Sequence, residues 1–401
     1  MKLGCIADDF TGATDLAGLL RRSGASVQLH LGMPTPGTKA SADIEIVALK
    51  CRTEAVEKAV ADCSRAADWL LANGAEYLYW KYCSTFDSTP QGNIGPVAEA
   101  LMQKAGKAHA LYCPAFPENG RSVFMGHLFV GQQLLSESSL KDHPLTPMTD
   151  ANLARVLQPQ VAESVGIYSR LDQQAGTGMP DTTHVIGDAV ELADLKHLVD
   201  GALDSHLLTG GSALAMFIPE KLGLATDKPR QLPSTHTKSV ILSGSCSAMT
   251  RRQVAEFSGP KRVIDALHLT DADMAEHLAW WQDQTDTALL YATAEPERVK
   301  AVQAKLGREA AGAAVEAAMA WLATHMAAQG VSRFVVAGGE TSGIVASTLA
   351  VSKVMVGAEI VPGVPWVFGE YAGRNIALAL KSGNFGGPDF FAQALDVIDH
   401  A

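Results

Sequence analysis

Residues 2–15, KLGCIADDFTGATD, decide the fold of this chain. Residues 2–7 are mostly apolar and stop at two acids, Asp8 and Asp9, the pattern of a short buried strand that ends in a polar turn. Phe10, Thr11 and Gly12 read as that turn, and residues 13–22 as an amphipathic helix with Leu16, Leu19 and Leu20 on one face. In an open α/β sheet the carboxyl ends of strands and the N-termini of the helices after them line the ligand crevice. Asp8, Asp9, Thr11 and Asp15 are therefore expected at that lip. Paired carboxylates at a strand end suit hydroxyl or metal chemistry, one holding a cation while the other accepts a proton. Either acid is equally suited to cap the following helix.

Outward from this stretch the first half keeps a strand–loop–helix rhythm. Residues 27–31 and 44–49 read as strands, residues 54–71 as a helix closed by Asn73 and Gly74, and residues 77–81 as the next strand. A helix over 94–105 and a strand over 108–113 follow. Three strands thus end in polar loops, ADDFTGA, LKCRT and KYCSTFDST. That alternation predicts a mainly parallel sheet with its active edge at those loops. Residues 114–150 break the rhythm: a loop bearing Arg121, a hairpin (123–124 with 128–130), then the Pro-rich HPLTPMTD. Loops this long inside a domain are usually lids or binding loops. The sheet resumes at residues 185–186, with a helix over 195–203; residues 157–183 carry no recognisable motif.

Length bounds the organisation: 401 residues exceed one typical core and predict at least two domains. The boundaries expected are 1–225, a linker over 226–238, and 239–401, because TDKPRQLPSTHTK is polar, proline-containing and aperiodic. A net charge of −11 argues against a nucleic-acid or anionic-membrane partner, since both need a basic face. An anionic small molecule needs only a local cluster of cations. The six cysteines show no CxxC spacing or disulfide-rich density. Asp8 and Asp9 interrupt any signal-peptide core, and no apolar run approaches the ~18 to 20 residues of a membrane span, so the expected compartment is the cytoplasm.

Three loops of the second domain have phosphate-binding character: SGSCS (243–247), GGETSG (338–343) and KSGNFGG (381–387). Each follows an expected strand and combines glycine with hydroxyls or an amide. Glycine lets backbone N–H groups approach an oxyanion closely, and a following helix adds its positive end. None matches GxxxxGK[ST] or GxGxxG, and glycine at a tight turn is common anyway; convergence of three at strand ends favours a nucleotide or phosphate. The first domain offers Arg52, Lys81 and Arg121 as cations for a carboxylate, with Asp87, Ser84 and Thr85 as polar partners for hydroxyls. Ordinary surface ion pairing is the plain alternative for Arg52 and Lys81. The histidines, including His127, His143 and His206, have no metal-ligand spacing.

On these residues the chain resembles the four-carbon acid sugar kinase family, most closely its 3-oxo-tetronate kinase branch. The stretches that carry the resemblance are IADDFTGATD (6–15), KYCSTFDSTPQGNIGPV (81–97), HPLTPMTDANL (143–153), VILSGSCSAMT (240–250), AGGETSGIV (337–345), PGVPW (362–366) and LKSGNFG (380–386). They span nearly the full length; Cys51 departs from the small or hydroxyl residue expected there. The resemblance implies ATP-dependent phosphorylation of the terminal hydroxyl of a four-carbon sugar acid, with the acid on the N-terminal domain, the nucleotide on the C-terminal one, and the active site in the interdomain cleft.

Phosphoryl transfer asks mainly for positioning and charge neutralisation. The implied roles follow: Ser243, Ser245, Gly338, Gly339, Glu340, Thr341, Gly383 and Asn384 hold the nucleotide, and Mg²⁺ bridges its phosphates. Arg52, Lys81, Ser84, Thr85, Asp87 and Arg121 hold the acid, and Asp8 or Asp9, in preference to Asp87, orients the attacking hydroxyl. A different tetronate as acceptor, a non-catalytic sensor, and a nicotinamide-dependent dehydrogenase stay open as alternatives, the last weakened by the missing GxGxxG. A homodimer is the one assembly kept open.

Overall fold

A computed structural model describes residues 1–143, 145–224, 232–236 and 238–400. The backbone divides into two units, Met1–Pro229 and Arg230–Ala401. Of the linker expected over 226–238, residues 226–231 and 237 lie outside the described residues.

In the first unit the opening apolar run forms β1 (Leu3–Ala7), buried at every residue. Four further strands follow in order: β2 (Val27–Leu31), β3 (Ile44–Ala48), β4 (Tyr77–Lys81) and β5 (His109–Cys113). A small antiparallel sheet of β6 (Arg121–Phe124), β7 (His127–Val130) and β8 (Gln133–Leu134) then interrupts. The main sheet is completed by β9 (Val165–Tyr168), β10 (His184–Gly187) and β11 (His206–Gly210). Its order is β2-β3-β1-β4-β11-β5-β10-β9, and every neighbouring pair is parallel. A strand paired in parallel on both sides must bury both faces, which is why β1, β3 and β4 are largely apolar. Helix Phe10–Arg22 packs on β1, β2 and β3; helices Val56–Ala72 and Ile94–Ala105 pack on each other and on β1, β4 and β5. Because β3, β1 and β4 are adjacent and parallel, their three polar loops emerge at one edge.

Two local expectations change. Phe10, Thr11 and Gly12 are not a connecting turn but the first turn of the helix, which runs Phe10–Arg22. The extended Asp9 (φ −150°, ψ 165°) ends the strand segment, and its carboxylate takes the Gly12 N–H, so helical geometry begins one residue later. Residues 157–183, which carry no motif, contain β9 and the short helix Arg170–Gln174 with a Ser169–Asp172 capping box. As the edge strand, β9 is short and only partly buried.

The second unit contains β12 (Ser239–Ser243), β13 (Lys261–Val263), β14 (Ala288–Tyr291), β15 (Arg333–Ala337), β16 (Lys353–Val361), β17 (Val364–Tyr371) and β18 (Arg374–Lys381). The order is β13-β14-β12-β15-β18-β17-β16. The first five are mutually parallel, and β17 runs antiparallel to both β18 and β16. Trp366 and Phe368 of β17 pack with Phe390, Phe391 and Ile398 of helix Phe390–Asp399 in one buried cluster, and the Trp366 indole donates to Ala394 O at 2.9 Å. The helix that follows β15 runs Gly339–Thr348, with Gly338 as its N-cap. No described helix is long and apolar enough to cross a membrane.

Candidate functional site

At the carboxyl edge of β1, Asp8 and Asp9 follow buried Ala7 and diverge in role. Asp8 is 3% exposed and lies in a bidentate fork: Arg52 Nε reaches Oδ2 at 2.7 Å and Nη2 reaches Oδ1 at 2.9 Å. Asp9 Oδ1 accepts the Gly12 N–H at 2.7 Å; Oδ2 accepts the Thr11 hydroxyl at 3.1 Å and faces Arg52 Nη2 at 3.0 Å. Asp9 is therefore helix cap and ion-pair partner together. Asp15 sits further along the helix, where its Oδ2 accepts from Ser212 Oγ at 2.6 Å. Both carboxylates expected to act as base are thus already engaged by Arg52.

Their electrostatics differ accordingly. Burial holds the Asp8 carboxyl above its ordinary value, against the pull of Arg52. Burial would raise Asp9 as well, but Arg52, Lys81, the Gly12 N–H and the Thr11 hydroxyl outweigh it and carry Asp9 below its ordinary value. Burial works against the charge of Arg52, yet Asp8 and Asp9 raise it well above its usual range.

The loop carrying Arg52 is fixed by a residue that sequence reasoning passed over. Asn93 Nδ2 donates to Cys51 O at 2.6 Å and Glu54 O at 2.9 Å, with Arg52 O at 3.3 Å. An asparagine just before a helix reads locally as a cap, and nothing in its neighbourhood announces that it pins a loop forty residues earlier. Lys81, at the end of β4, is 2% exposed and donates to Tyr82 O at 2.8 Å. An added Cβ on Gly12 would come within 2.8 Å of Lys81 Nζ, so the glycine admits the ammonium to the helix N-terminus.

In the loop after β4, Ser84 is half-buried and Thr85 buried. Phe86 is fully buried in a left-handed conformation (φ 55°), and its ring meets Tyr82 edge-on at 5.4 Å. Asp87 then points Oδ2 towards Arg52 Nη1 at 4.0 Å. Its Oδ1 is buried with no hydrogen-bond partner among the described residues. Arg121 begins β6 rather than lying in a loop; its Nη1 bonds Asn119 O, and its Nε is buried without a described partner. Burial lowers Arg121, against the charges of Asp87 and Asp15. The expected acid-binding residues Arg52, Asp87 and Arg121 therefore share one electrostatic neighbourhood with Asp8, Asp9 and Lys81.

In the second unit β12, β15 and β18 are adjacent and parallel, so SGSCS, GGETSG and KSGNFGG leave one edge side by side. Backbone bonds join them: Gly244 N and Ser245 N donate to Ala337 O (3.0 and 3.2 Å), and Gly338 N donates to Lys381 O (2.8 Å). The approach is close enough that a Cβ on Gly244 would lie 2.2 Å from Thr341 Oγ1, and one on Gly383 would lie 2.6 Å from Ser245 Oγ. Gly339 and Glu340 open the helix Gly339–Thr348 and are exposed, as is Asn384, while Thr341 is buried. Ser243 is fully buried and its hydroxyl lies 2.8 Å from Thr293 Oγ1, which fastens the end of β12 to the residues after β14. A surface of glycine N–H groups beside two helix N-termini is suited to an anion such as a phosphate chain.

Sequence reasoning missed the support beneath this surface. Ser247 Oγ (2.6 Å), Thr250 Oγ1 (2.8 Å) and Lys381 Nζ (3.0 Å) all donate to Gly383 O, and Gln253 Nε2 donates to Phe385 O and Gly387 O. The S-x-x-T-x-x-Q spacing puts Ser247, Thr250 and Gln253 on one helix face, which is the signal that could have found them. Lys381 is fully buried, and burial lowers it to about 7. Below about pH 7 it is protonated both folded and unfolded. Between about 7 and the ordinary 10.5 only the unfolded chain holds the proton, so this group makes stability rise with pH across that window, by up to about 1.4 kcal/mol per pH unit. Lys381→Met removes the dependence. Its melting temperature relative to wild type should fall as pH is raised from about 6.5 to about 9.5; a constant difference would show that Lys381 does not titrate there.

Comparison with known proteins follows this division. Residues 3–218 match the family described as a sugar-binding N-terminal domain, and residues 240–391 the family described as a nucleotide-binding C-terminal domain. A 3-oxo-tetronate kinase of Pseudomonas fluorescens is 48% identical over 417 residues, covering 98% of this chain and 96% of the relative. That of Haemophilus influenzae is 39% identical, covering 98% of both chains. Among solved structures, a Salmonella typhimurium LT2 protein, described provisionally as a tRNA synthase, has a TM-score of 0.82 at 36% identity and 98% coverage of both chains. The Haemophilus influenzae protein HI1011 has a TM-score of 0.75 at 38% identity, over 98% of this chain and 100% of its own.

Proposed function

The chain belongs to the 3-oxo-tetronate kinase family, and on that premise we propose that it phosphorylates the terminal hydroxyl of a four-carbon sugar acid with ATP, converting 3-oxo-tetronate to its 4-phosphate. The observation that carries the reading is the separation of two chemistries. The unit of the sugar-binding family carries Arg52 and Lys81 at one sheet edge, with Arg121 of β6 near Asp87, and the unit of the nucleotide-binding family carries three glycine loops at the edge of its own strands.

Arg52, Lys81 and Arg121 supply charge for the substrate carboxylate, and Ser84, Thr85 and the acids take its hydroxyls. Gly338, Gly339, Thr341 and Gly383 approach the nucleotide phosphates, with Ser245, Glu340 and Asn384 at the rim. Among the described residues no three His, Cys, Asp or Glu form a metal cage. Mg²⁺ bound with the nucleotide would neutralise charge on its phosphates. In-line transfer requires the two bound substrates to meet with water excluded, since water competes as acceptor.

The test is ADP release from ATP and Mg²⁺ with a panel of four-carbon acids: 3-oxo-tetronates, threonate and erythronate. Acid-dependent ADP with a 3-oxo-tetronate as best acceptor is expected. Faster turnover of threonate or erythronate would move the substrate within the family, and acid binding without any ADP would leave a sensor.

A further inference from the structure

The carboxylate that faces the reacting hydroxyl can be chosen by asking which oxygen is still available. A carboxylate has roughly four acceptor positions, and a buried one left without a hydrogen bond calls for an explanation. Asp8 spends both oxygens on the Arg52 fork, and Asp9 spends both on Gly12, Thr11 and Arg52. Asp87 Oδ1 is buried and accepts nothing from any described residue, while Oδ2 stands 4.0 Å from Arg52 Nη1.

The backbone adds an independent observation. Phe86 holds a left-handed φ of 55°, an outlier for an aromatic residue, and such conformations persist where surrounding structure over-determines them. Here the ring is fully buried against Tyr82, whose hydroxyl lies 3.0 Å from Thr209 Oγ1. The Asp87 N–H is tied to Cys83 Sγ at 3.0 Å. The strained residue is thus the one that fixes where the next side chain goes.

We propose that Asp87 is the general base of the transfer, its Oδ1 taking the proton of the acceptor hydroxyl as that oxygen attacks the γ-phosphorus. The O–H bond breaks and its proton passes to Asp87. A bond forms from the acceptor oxygen to phosphorus, and the bond from phosphorus to the β,γ-bridging oxygen breaks with its electron pair leaving on ADP. Asp8 and Asp9 are positioning residues: they orient Arg52, whose Nη1 lies 4.0 Å from Asp87 Oδ2. The assignment rests on the kinase reading above.

The charged and titratable groups around Asp87 are Arg52, Arg121 and Cys83, with Asp8, Asp9 and Lys81 behind Arg52. Burial pushes the Cys83 thiol up to about 12, so it does not titrate in the acidic range.

The experiment compares full-length wild type, Asp87→Asn and Asp87→Glu by steady-state kinetics from about pH 4.5 to 8, with acid and ADP binding measured by calorimetry. Asp87→Asn should lower kcat by ~10² to 10⁴ while KM for ATP and the affinity for the acid change no more than about threefold, the range a positioned base supplies. Asp87→Glu should recover at least about tenfold of the loss, which a purely structural residue would not. Wild-type turnover in Asp87→Asn or loss confined to acid affinity would each overturn the assignment. Equal rates for the Asn and Glu variants would do the same. If wild type itself releases no ADP with any four-carbon acid, the kinase reading falls and the base falls with it; if only the Asp87 variants behave like wild type, the kinase reading stands.

Discussion

Arg52→Ala should lower kcat/KM for the four-carbon acid by ~10² to 10⁴, because it removes two charge-assisted hydrogen bonds of ~1.5 to 3 kcal/mol each from a buried site. The guanidinium joins three acids: it forks Asp8, faces Asp9 at 3.0 Å and lies 4.0 Å from Asp87. Without it, Asp8 is a buried carboxyl with no described side-chain cation bonded to it, and burial already holds it above its ordinary value. The folded chain should therefore also lose about 2 to 4 kcal/mol, the cost of breaking a buried pair by removing one partner. Arg52→Lys keeps the charge but not the fork and should recover only part of the loss. Substrate charge offers a second readout. Wild type should prefer the acid over the corresponding four-carbon polyol by at least ~10² in kcat/KM, and Arg52→Ala should narrow that gap. Equal use of acid and polyol by wild type would make the cation cluster structural and remove the acid from the proposal, leaving the kinase.

The second large effect lies in the other unit. Gly338 has φ 122° and ψ 132°, a conformation closed to side-chain-bearing residues, and an added Cβ would lie 3.1 Å from Thr341 Oγ1 and 3.2 Å from Ser245 N. Gly338→Ala must therefore move the GGETSG turn or accept strain of order 1 to 3 kcal/mol. Because the Gly338 N–H is bonded to Lys381 O and the turn abuts Ser245, the displacement spreads to all three loops. The expected result is an ADP dissociation constant raised at least about tenfold, with the acid bound as in wild type; one lost charge-assisted contact suffices for that factor. Unchanged ADP affinity in a folded Gly338→Ala protein would remove these loops from the nucleotide site.

What the sequence determined by itself was local and periodic. The apolar runs of residues 3–7, 44–48, 77–81, 239–243 and 333–337 are buried strands because parallel pairing covers both faces, and that requirement is visible as composition. The polar loops after those strands follow directly, so the fold class and the two groups of loops were legible, and the motifs within them carried the family. Tertiary structure decided how the side chains in those loops are used. Asp8 and Asp9 are chemically alike and adjacent, yet one is forked by Arg52 from 44 positions away and the other caps a helix, while the acceptor left open is Asp87. Asn93 became a loop fastener, and Lys381 a buried amine bonded to Thr250 and to the carbonyls of Ser382 and Gly383. Strand identity is set by neighbours within a few residues. Hydrogen-bond saturation and desolvation are set by whichever groups the folded chain brings within about 3 Å, and those pairings join residues far apart in sequence.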